Sequence, residues 1–219
     1  MAERLVKVYS RFNRIWHWLQ VVLILMLFFT GTRIMGLHTL IPFEGAVTLH
    51  TLSALVLLVL WAFATFWLFT TENWKQFIPR YKGLPQVIRF YAWGVFRGEE
   101  HPYQKAYHRR HNPLQALTYL ALKIVLFPAI WMSGLAYLLY TFWSPLDDQS
   151  FWLMVVANIH ILAAFSVATF VLLHVYLLTI GGFRVHVRPM ISGFEEVEVS
   201  AEAEAYFAAE KPERLKAEG

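Results

Sequence analysis

The sequence contains no cysteine among its 219 residues. This absence excludes disulfides, iron–sulfur clusters, thiolate metal sites and covalent c-type haem attachment to this chain. Charged residues are also scarce, at 16%, whereas hydrophobic residues make up 58%. A soluble domain of this length is rarely so apolar. Any redox cofactor must therefore be held by ligands other than thiolates, and nine histidines are available.

The apolar residues are gathered in four long runs. They extend from about 15 to 35, 46 to 70, 113 to 142 and 151 to 180. About 20 apolar residues in a helix cross the hydrocarbon core of a bilayer. The runs therefore predict an all-α integral membrane protein, a bundle of four transmembrane helices, with a kink at Pro128. No small-residue cleavage site follows the first run, so we do not interpret it as a signal peptide.

Basic residues flank these runs unevenly. Lys and Arg cluster before the first run, between the second and third, and after the fourth. The first connection has only Arg33, and the third has none. The positive-inside rule therefore predicts that both termini and the loop 71–113 are cytoplasmic. The same clustering accounts for the net charge of +4 without a nucleic-acid partner.

We expect the chain to have two parts. Residues 1–194 would form the four-helix membrane domain, and residues 195–219 a cytoplasmic acidic tail that is partly helical. Within the long loop, apolar residues between 85 and 96 recur at helical spacing. This pattern predicts a short helix lying on the membrane surface.

Four histidines lie inside the apolar runs, where an ionisable side chain is costly and indicates function. They are His17, His50, His160 and His174. The last two are 14 residues apart on one predicted helix, so they share nearly the same face at a separation of roughly 21 Å. The predicted topology pairs His17 with His174 at the inner depth and His50 with His160 at the outer depth.

Two imidazoles can fill both axial positions of a haem iron, which leaves a centre suited to electron transfer. The matched depths therefore favour two haems, one for each histidine pair. Histidines that hydrogen bond between helices or line a cavity are the alternative. Zinc is disfavoured because each pair offers only two protein ligands.

Short motifs around these histidines are similar to those of a known family. They are Arg14-Ile15-Trp16-His17-Trp18, Leu49-His50, Ile159-His160, Leu173-His174-Val175-Tyr176, Glu99-Glu100-His101-Pro102 and Asn112-Pro113-Leu114-Gln115. Through them, residues 4–195 resemble the di-haem cytochrome b subunits of respiratory complexes. Those include the gamma subunit of membrane-bound formate dehydrogenase and the cytochrome b subunits of nickel–iron hydrogenase and thiosulfate reductase.

The resemblance implies two haems b. It implies that His17 and His174 ligate the iron of the inner haem, and that His50 and His160 ligate that of the outer haem. Arg33, at the outer end of the first run, is a candidate partner for an outer-haem propionate. The equal alternative is an arginine that snorkels to the membrane interface.

The resemblance also implies a site for menaquinone or ubiquinone on the cytoplasmic side, next to the inner haem. Asn112, Leu114 and Gln115 match the quinone-contacting stretch of the family and become candidates, together with His174. Asn112 could instead be a helix N-cap, a position that asparagine fills well. Gln115 could simply be a polar residue at the interface.

Small residues in the first and third runs have two possible uses. Gly31, Ser133 and Gly134 would let a porphyrin approach the backbone, or they would allow close helix packing. Lys123 lies inside the third run, and neither its position nor the resemblance assigns it a role.

These observations together predict a membrane-anchoring di-haem cytochrome b subunit of a respiratory oxidoreductase in the bacterial inner membrane. It would transfer electrons between a periplasmic iron–sulfur or multihaem subunit and the quinone pool. It would be one subunit of an enzyme rather than a complete enzyme. A stand-alone di-haem cytochrome b561-type oxidoreductase and a haem-free membrane anchor or transporter are the alternatives.

Overall fold

The computed structural model describes residues 2–79, 81–99, 102, 112–143, 149–180, 183–199, 205 and 209. Within these ranges, four helical stretches are long and apolar enough to cross a membrane. They are Arg11–Ile34, Phe43–Thr70, Pro113–Leu138 and Ser150–Thr179. The prediction of an all-α protein with four spans is confirmed, with helix ends within a few residues of those expected.

The described elements follow one another in a simple order. In chain order they are β1 (Ala2–Lys7), α1 (Arg11–Ile34), α2 (Phe43–Thr70), a 3-10 helix (Asn73–Phe77), α3 (Leu84–Ala92), a second 3-10 helix (Gly94–Arg97), α4 (Pro113–Ala121), a π-helical turn (Leu122–Leu126), α5 (Phe127–Leu138), α6 (Tyr140–Trp143), α7 (Gln149–Ile180), α8 (Phe183–Ser192) and β2 (Phe194–Val199).

Large apolar side chains are exposed along all four spans. Examples, one from each span in chain order, are Val22, Val59, Met132 and Leu162. In water such surfaces would be unfavourable, but a lipid-facing helix satisfies its backbone internally and presents apolar side chains to the hydrocarbon. The distribution of apolar surface therefore agrees with helices that contact lipid.

The third span is interrupted where the sequence predicts a kink. The π-helical turn Leu122–Leu126 ends just before Pro128. Proline has no N–H to donate to the carbonyl four residues earlier, and its ring collides with that carbonyl in a regular α-helix. A wider turn just upstream relieves both problems. The irregularity that proline predicted is thus present as a π-helical turn.

The short helix predicted in the long loop is present as α3, and its position on the membrane surface stays a prediction. Its Val87 and Phe90 side chains are buried. Arg89 binds both carboxylate oxygens of Glu99, at 2.8 and 3.0 Å. Some residues of the loops lie outside the described ranges: the histidines His101, His108 and His111, the acidic pair Asp147 and Asp148, and Gly181-Gly182.

The chain divides into two compact units, and the division falls within α1 and α7. One unit comprises Met26–Phe170. The other comprises Met1–Leu25 and Val171–Gly219, and includes a two-stranded antiparallel sheet in which Ala2 pairs with Val199 and Lys7 with Phe194.

The sheet corrects one expectation. Residues 195–199, which we expected to begin a solvated and partly helical tail, form most of strand β2. Their glutamates alternate with Val197 and Val199, which is the period of a strand rather than of a helix. Of residues 200–219, only Ala205 and Ala209 are described. The division of the chain at residue 194 stays a prediction.

A glycine connects α8 to this sheet. Gly193 has a φ of +92° and its carbonyl accepts hydrogen bonds from the N–H groups of Val8 and Tyr9. A Cβ at this position would meet the carbonyl oxygen of Tyr9 at 3.0 Å. The turn therefore requires glycine for its backbone angle and for the close approach of the neighbouring chain.

Candidate functional site

His50 on α2 and His160 on α7 face each other. Their ring centroids are 6.3 Å apart and the ring planes cross at 65°. An iron atom bonded to one nitrogen of each ring at about 2 Å would put the two ring centres roughly 6 Å apart, because each centre lies about 1 Å behind its nitrogen. The spacing of this outer histidine pair therefore fits axial ligation of one haem iron.

A hydroxyl group holds the other nitrogen of each ring. Thr30 Oγ1 lies 2.9 Å from Nδ1 of His50, and Ser133 Oγ lies 3.0 Å from Nδ1 of His160. Each hydroxyl also donates to a carbonyl four residues earlier, Thr30 to Met26 at 2.7 Å and Ser133 to Ala129 at 2.6 Å.

The single hydrogen of each hydroxyl is thus directed at the backbone, so its oxygen accepts from the imidazole. The proton of each ring is then on Nδ1, and Nε2 keeps the lone pair that a metal needs. This tautomer is the one required of a haem ligand that binds through Nε2.

The residue after each hydroxyl is a glycine that packs against the same ring. A Cβ on Gly31 would lie 3.5 Å from Cε1 of His50, and a Cβ on Gly134 would lie 3.3 Å from Cε1 of His160. Both glycines therefore lie against the imidazoles, and the approach of a porphyrin to them stays a prediction. A Cβ on Gly134 would require His160 to shift by a few tenths of an ångström, whereas a Cβ on Gly31 would make an ordinary van der Waals contact with His50.

The inner pair, His17 on α1 and His174 on α7, lies within the other unit, and the two rings are close enough to interact electrostatically. Nδ1 of His17 is buried and has no hydrogen-bond partner among the described residues. Buried polar atoms are nearly always paired. The unpaired nitrogen fits a site that is completed by a bound group.

Two further side chains share this face of α1 with His17. Nε of Arg14 and Oε1 of Gln20 are also buried without a partner in the described ranges. Residues three apart in a helix are neighbours on its surface, so the three groups form one polar row. Nη1 of Arg14 donates to the carbonyl of Ile191, and Nε1 of Trp18 donates to that of Met190 at 3.0 Å. These bonds attach α1 to the end of α8.

The described residues contain no group of three or more His, Asp or Glu side chains that could hold a metal ion. The histidines instead come in pairs, and a pair is too few for a structural zinc site with four protein ligands. Two nitrogen ligands are what an iron already held by four porphyrin nitrogens requires. The donor set therefore fits haem.

The candidate quinone residues lie at the start of α4. Asn112 is 5% exposed, and its Oδ1 accepts from the N–H of Gln115 at 2.8 Å. Oε1 of Gln115 accepts in return from the N–H of Asn112 at 3.1 Å. This is a capping box, so the N-cap alternative describes Asn112 correctly. Leu114 is half-buried.

The capping asparagine also reaches helix α3. Its Nδ2 lies 3.4 Å from the hydroxyl of Tyr91. Burial raises the pKa of Tyr91 above its ordinary value, and the hydrogen bond from Asn112 partly opposes that increase. Tyr91 therefore stays protonated at neutral pH and links the loop helix to the start of the third span.

Arg33 and Lys123 have protein partners in the structure. Nε of Arg33 donates to the carbonyl of Ile41 at 2.7 Å, and its guanidinium carbon lies 5.7 Å from the ring centre of Phe43. A contact with a haem propionate stays a prediction. Nζ of Lys123 lies 4.9 Å from the ring centre of Phe77, which places its charge over an aromatic face.

Three of these groups had no role assigned from the sequence. They are the hydroxyl of Thr30 and the side chains of Arg14 and Gln20. The repeated dipeptides Thr30-Gly31 and Ser133-Gly134 inside two spans are a signal that could have found the first. Arg14 and Gln20 could have been identified because each lies three residues from His17, on the same face of the helix.

Four apolar helices that bring half-buried histidines together in pairs are the features of an integral membrane haem protein. The chain belongs to the prokaryotic cytochrome b561 family, whose model matches residues 8–193. It is therefore a membrane cytochrome that binds haem b. It is similar to "Putative cytochrome YdhU" of Escherichia coli (strain K12), with 26% identity over 182 residues, which cover 80% of this chain and 69% of that protein. No solved structure matches the chain.

Proposed function

We propose that this chain is the membrane-anchoring di-haem cytochrome b subunit of a respiratory oxidoreductase. It transfers electrons between a periplasmic iron–sulfur or multihaem subunit and the quinone pool of the bacterial inner membrane. The observation that carries the proposal is the outer histidine pair, with its 6.3 Å centroid separation and its hydroxyl-held Nδ1 atoms. Membership of a cytochrome family supports it independently.

His50 and His160 bind the outer haem, and His17 and His174 bind the inner haem. When bound between two imidazoles, haem b takes up and gives up single electrons at its iron without an open position for oxygen. The unpaired Nδ1 of His17 and its neighbours on α1 support a second bound group within the inner unit. The charge distribution supports cytoplasmic termini, which assigns this pair to the cytoplasmic side.

The quinone, menaquinone or ubiquinone, binds near the start of α4 on the cytoplasmic side. The capping box uses the amide oxygens of Asn112 and Gln115 as acceptors. It leaves the NH2 group of Gln115 without a partner among the described residues, and a quinone carbonyl needs such a donor. Asn112 acts through the helix start that it caps, and Leu114 supplies apolar contact.

The experiment for the haem sites is a reduced-minus-oxidised absorbance spectrum with a haem-to-protein ratio, measured on purified wild type and single His→Ala variants. We expect two haems b in the wild type and one in each ligand variant. His17→Ala and His174→Ala should lose the same haem, and His50→Ala and His160→Ala the other. A wild type that binds one haem or none would refute the di-haem assignment.

His38→Ala is the matched control for these variants. Nε2 of His38 lies 2.9 Å from the carbonyl of Phe29, and its ring stacks on the Phe29 side chain at 4.9 Å. It is a histidine of the first connection with no haem role, so both haems should remain. Loss of haem from this variant would show that haem content reports general damage rather than ligand loss.

The subunit role is tested separately, by mild detergent extraction from the native membrane. A membrane-anchoring electron-transfer subunit should copurify with a periplasmic redox subunit, and that periplasmic subunit should reduce the outer haem first. A stand-alone cytochrome b561-type oxidoreductase, which the family membership also fits, would purify alone with full quinone-dependent activity. That result would refute the anchoring role while leaving the haem sites standing.

A further inference from the structure

The two outer histidines are held in the same way by residues from two different helices. On α1, Thr30 bonds Nδ1 of His50 while its neighbour Gly31 packs on the ring edge. On α5, Ser133 bonds Nδ1 of His160 while its neighbour Gly134 packs on the ring edge. A hydroxyl residue followed by glycine thus occurs twice around one site. The repetition indicates a common requirement of the two imidazoles.

Two other hydroxyl side chains in the described spans form hydrogen bonds with backbone carbonyls and not with histidines. Among the described residues, the hydroxyl of Thr32, two residues after Thr30, bonds only the carbonyls of Phe28 and Phe29, at 2.8 and 2.9 Å. Ser166 on α7 bonds the carbonyl of Leu162 at 2.8 Å. Bonding back to the preceding turn is the usual behaviour of Ser and Thr in helices. The second bond, to an imidazole, is what distinguishes Thr30 and Ser133.

We propose that Thr30 and Ser133 are positioning residues that set the reduction potential of the outer haem. This inference rests on the proposed assignment of His50 and His160 as the ligands of that haem. Each hydroxyl keeps the proton of its histidine on Nδ1 and fixes the rotation of the ring about its bond to the chain. The glycines leave room for this orientation.

The effect on potential follows from the direction of the hydrogen bonds. In each case a backbone carbonyl polarises the hydroxyl, and the hydroxyl oxygen then accepts from Nδ1–H, so the two bonds strengthen each other. Withdrawal of the proton towards oxygen makes the imidazole a stronger donor at Nε2. A stronger donor stabilises ferric iron more than ferrous iron. Both hydroxyls therefore lower the potential of the outer haem.

The effect should be confined to one haem. Thr30 bonds His50 and Ser133 bonds His160, and these two histidines are the proposed ligands of the outer haem. Removal of either hydroxyl should therefore leave the potential of the inner haem unchanged. This selectivity separates tuning from general loss of packing.

The test is an optical redox titration of the purified cytochrome and its Thr30→Val and Ser133→Ala variants, each with a haem-to-protein ratio. We expect both haems to be retained, with the midpoint potential of one haem raised and that of the other unchanged. If the lost hydrogen bond weakens ferric haem binding tenfold more than ferrous binding, the rise is about 59 mV. Loss of a ligand's hydrogen-bond partner typically costs about 10- to 100-fold in metal affinity.

Conservative replacements and matched controls complete the test. Thr30→Ser and Ser133→Thr keep the hydroxyl and should restore the wild-type potential. Thr32→Val and Ser166→Ala each remove a hydroxyl whose partners in the described part of the chain all lie on its own helix, and neither variant should change either potential. If haem affinity falls so far that a variant binds one haem, addition of haem in excess should recover the shifted potential.

Four outcomes would contradict the proposal or the ligand assignment on which it rests. Thr30→Val and Ser133→Ala with two haems and wild-type potentials would overturn it, as would equal shifts in the Thr32→Val control. A shifted potential that the hydroxyl-preserving variants do not restore would also overturn it, because volume rather than hydrogen bonding would then be responsible. A wild type with no outer haem would instead refute the ligand assignment itself.

Discussion

Gly134→Val is the substitution that most directly tests the packing of the outer site. A Cβ at this position already comes to 3.3 Å from Cε1 of His160, which is tighter than ordinary van der Waals contact. The two additional methyl groups of valine should therefore displace the imidazole of His160 from its position in the outer pair. Overpacking of this kind costs about 1–3 kcal/mol. At 1.4 kcal/mol for each factor of ten, that energy weakens haem binding roughly 5- to 140-fold.

The assay is a haem titration of the purified apoprotein, followed by absorbance, for Gly134→Val, Gly134→Ala and a control. Gly134→Ala should have a smaller effect, because His160 needs to shift by only a few tenths of an ångström. Gly45→Val is the matched control: its α-carbon is in a span and has open space around it. The reasoning would be refuted by wild-type haem affinity in Gly134→Val, or by an equal loss in the control.

Three other substitutions give distinct expectations. Asn112→Ala removes the capping box of α4 and should lower stability by about 0.5–2 kcal/mol, seen as a lower thermal midpoint that Asn112→Asp largely restores, with both haems retained. Gly193→Ala should destabilise the protein more than Gly36→Ala in the same thermal assay; both have positive φ, but only the first brings a Cβ to 3.0 Å from the carbonyl of Tyr9. Arg33→Gln should lower the potential of one haem if Arg33 contacts a propionate, since removal of a nearby cation favours the ferric form; an unchanged potential would assign Arg33 to its bond with the first connection.

The spans and the histidine pairs were accessible from the sequence because both are local or periodic properties. Apolar run length determines whether a helix can cross a bilayer, and chain direction determines the depth of each histidine. The loop helix α3 likewise followed from the spacing of its apolar residues. These features depend on the order of residues and on no contact between distant parts of the chain.

The features that sequence reasoning missed depend on contacts between elements. Thr30 is indistinguishable from Thr32 by residue type, and only the approach of His50 gives it a second hydrogen bond. Strand β2 was missed because its glutamates indicate solvent, whereas its pairing with β1 involves residues nearly 200 positions apart. Nothing local in either segment identifies its partner.

The π-helical turn of the third span makes the number of residues between Pro113 and Ser133 a determinant of the proposed outer haem site. Each residue of a helix turns the chain by about 100°. A one-residue deletion that converts this turn to regular α-helix would therefore rotate α5 by that amount. Ser133 and Gly134 would then face away from His160, although every side chain of the site would still be present. The length of this segment therefore determines whether Ser133 and Gly134 meet His160, just as the identity of the residues does.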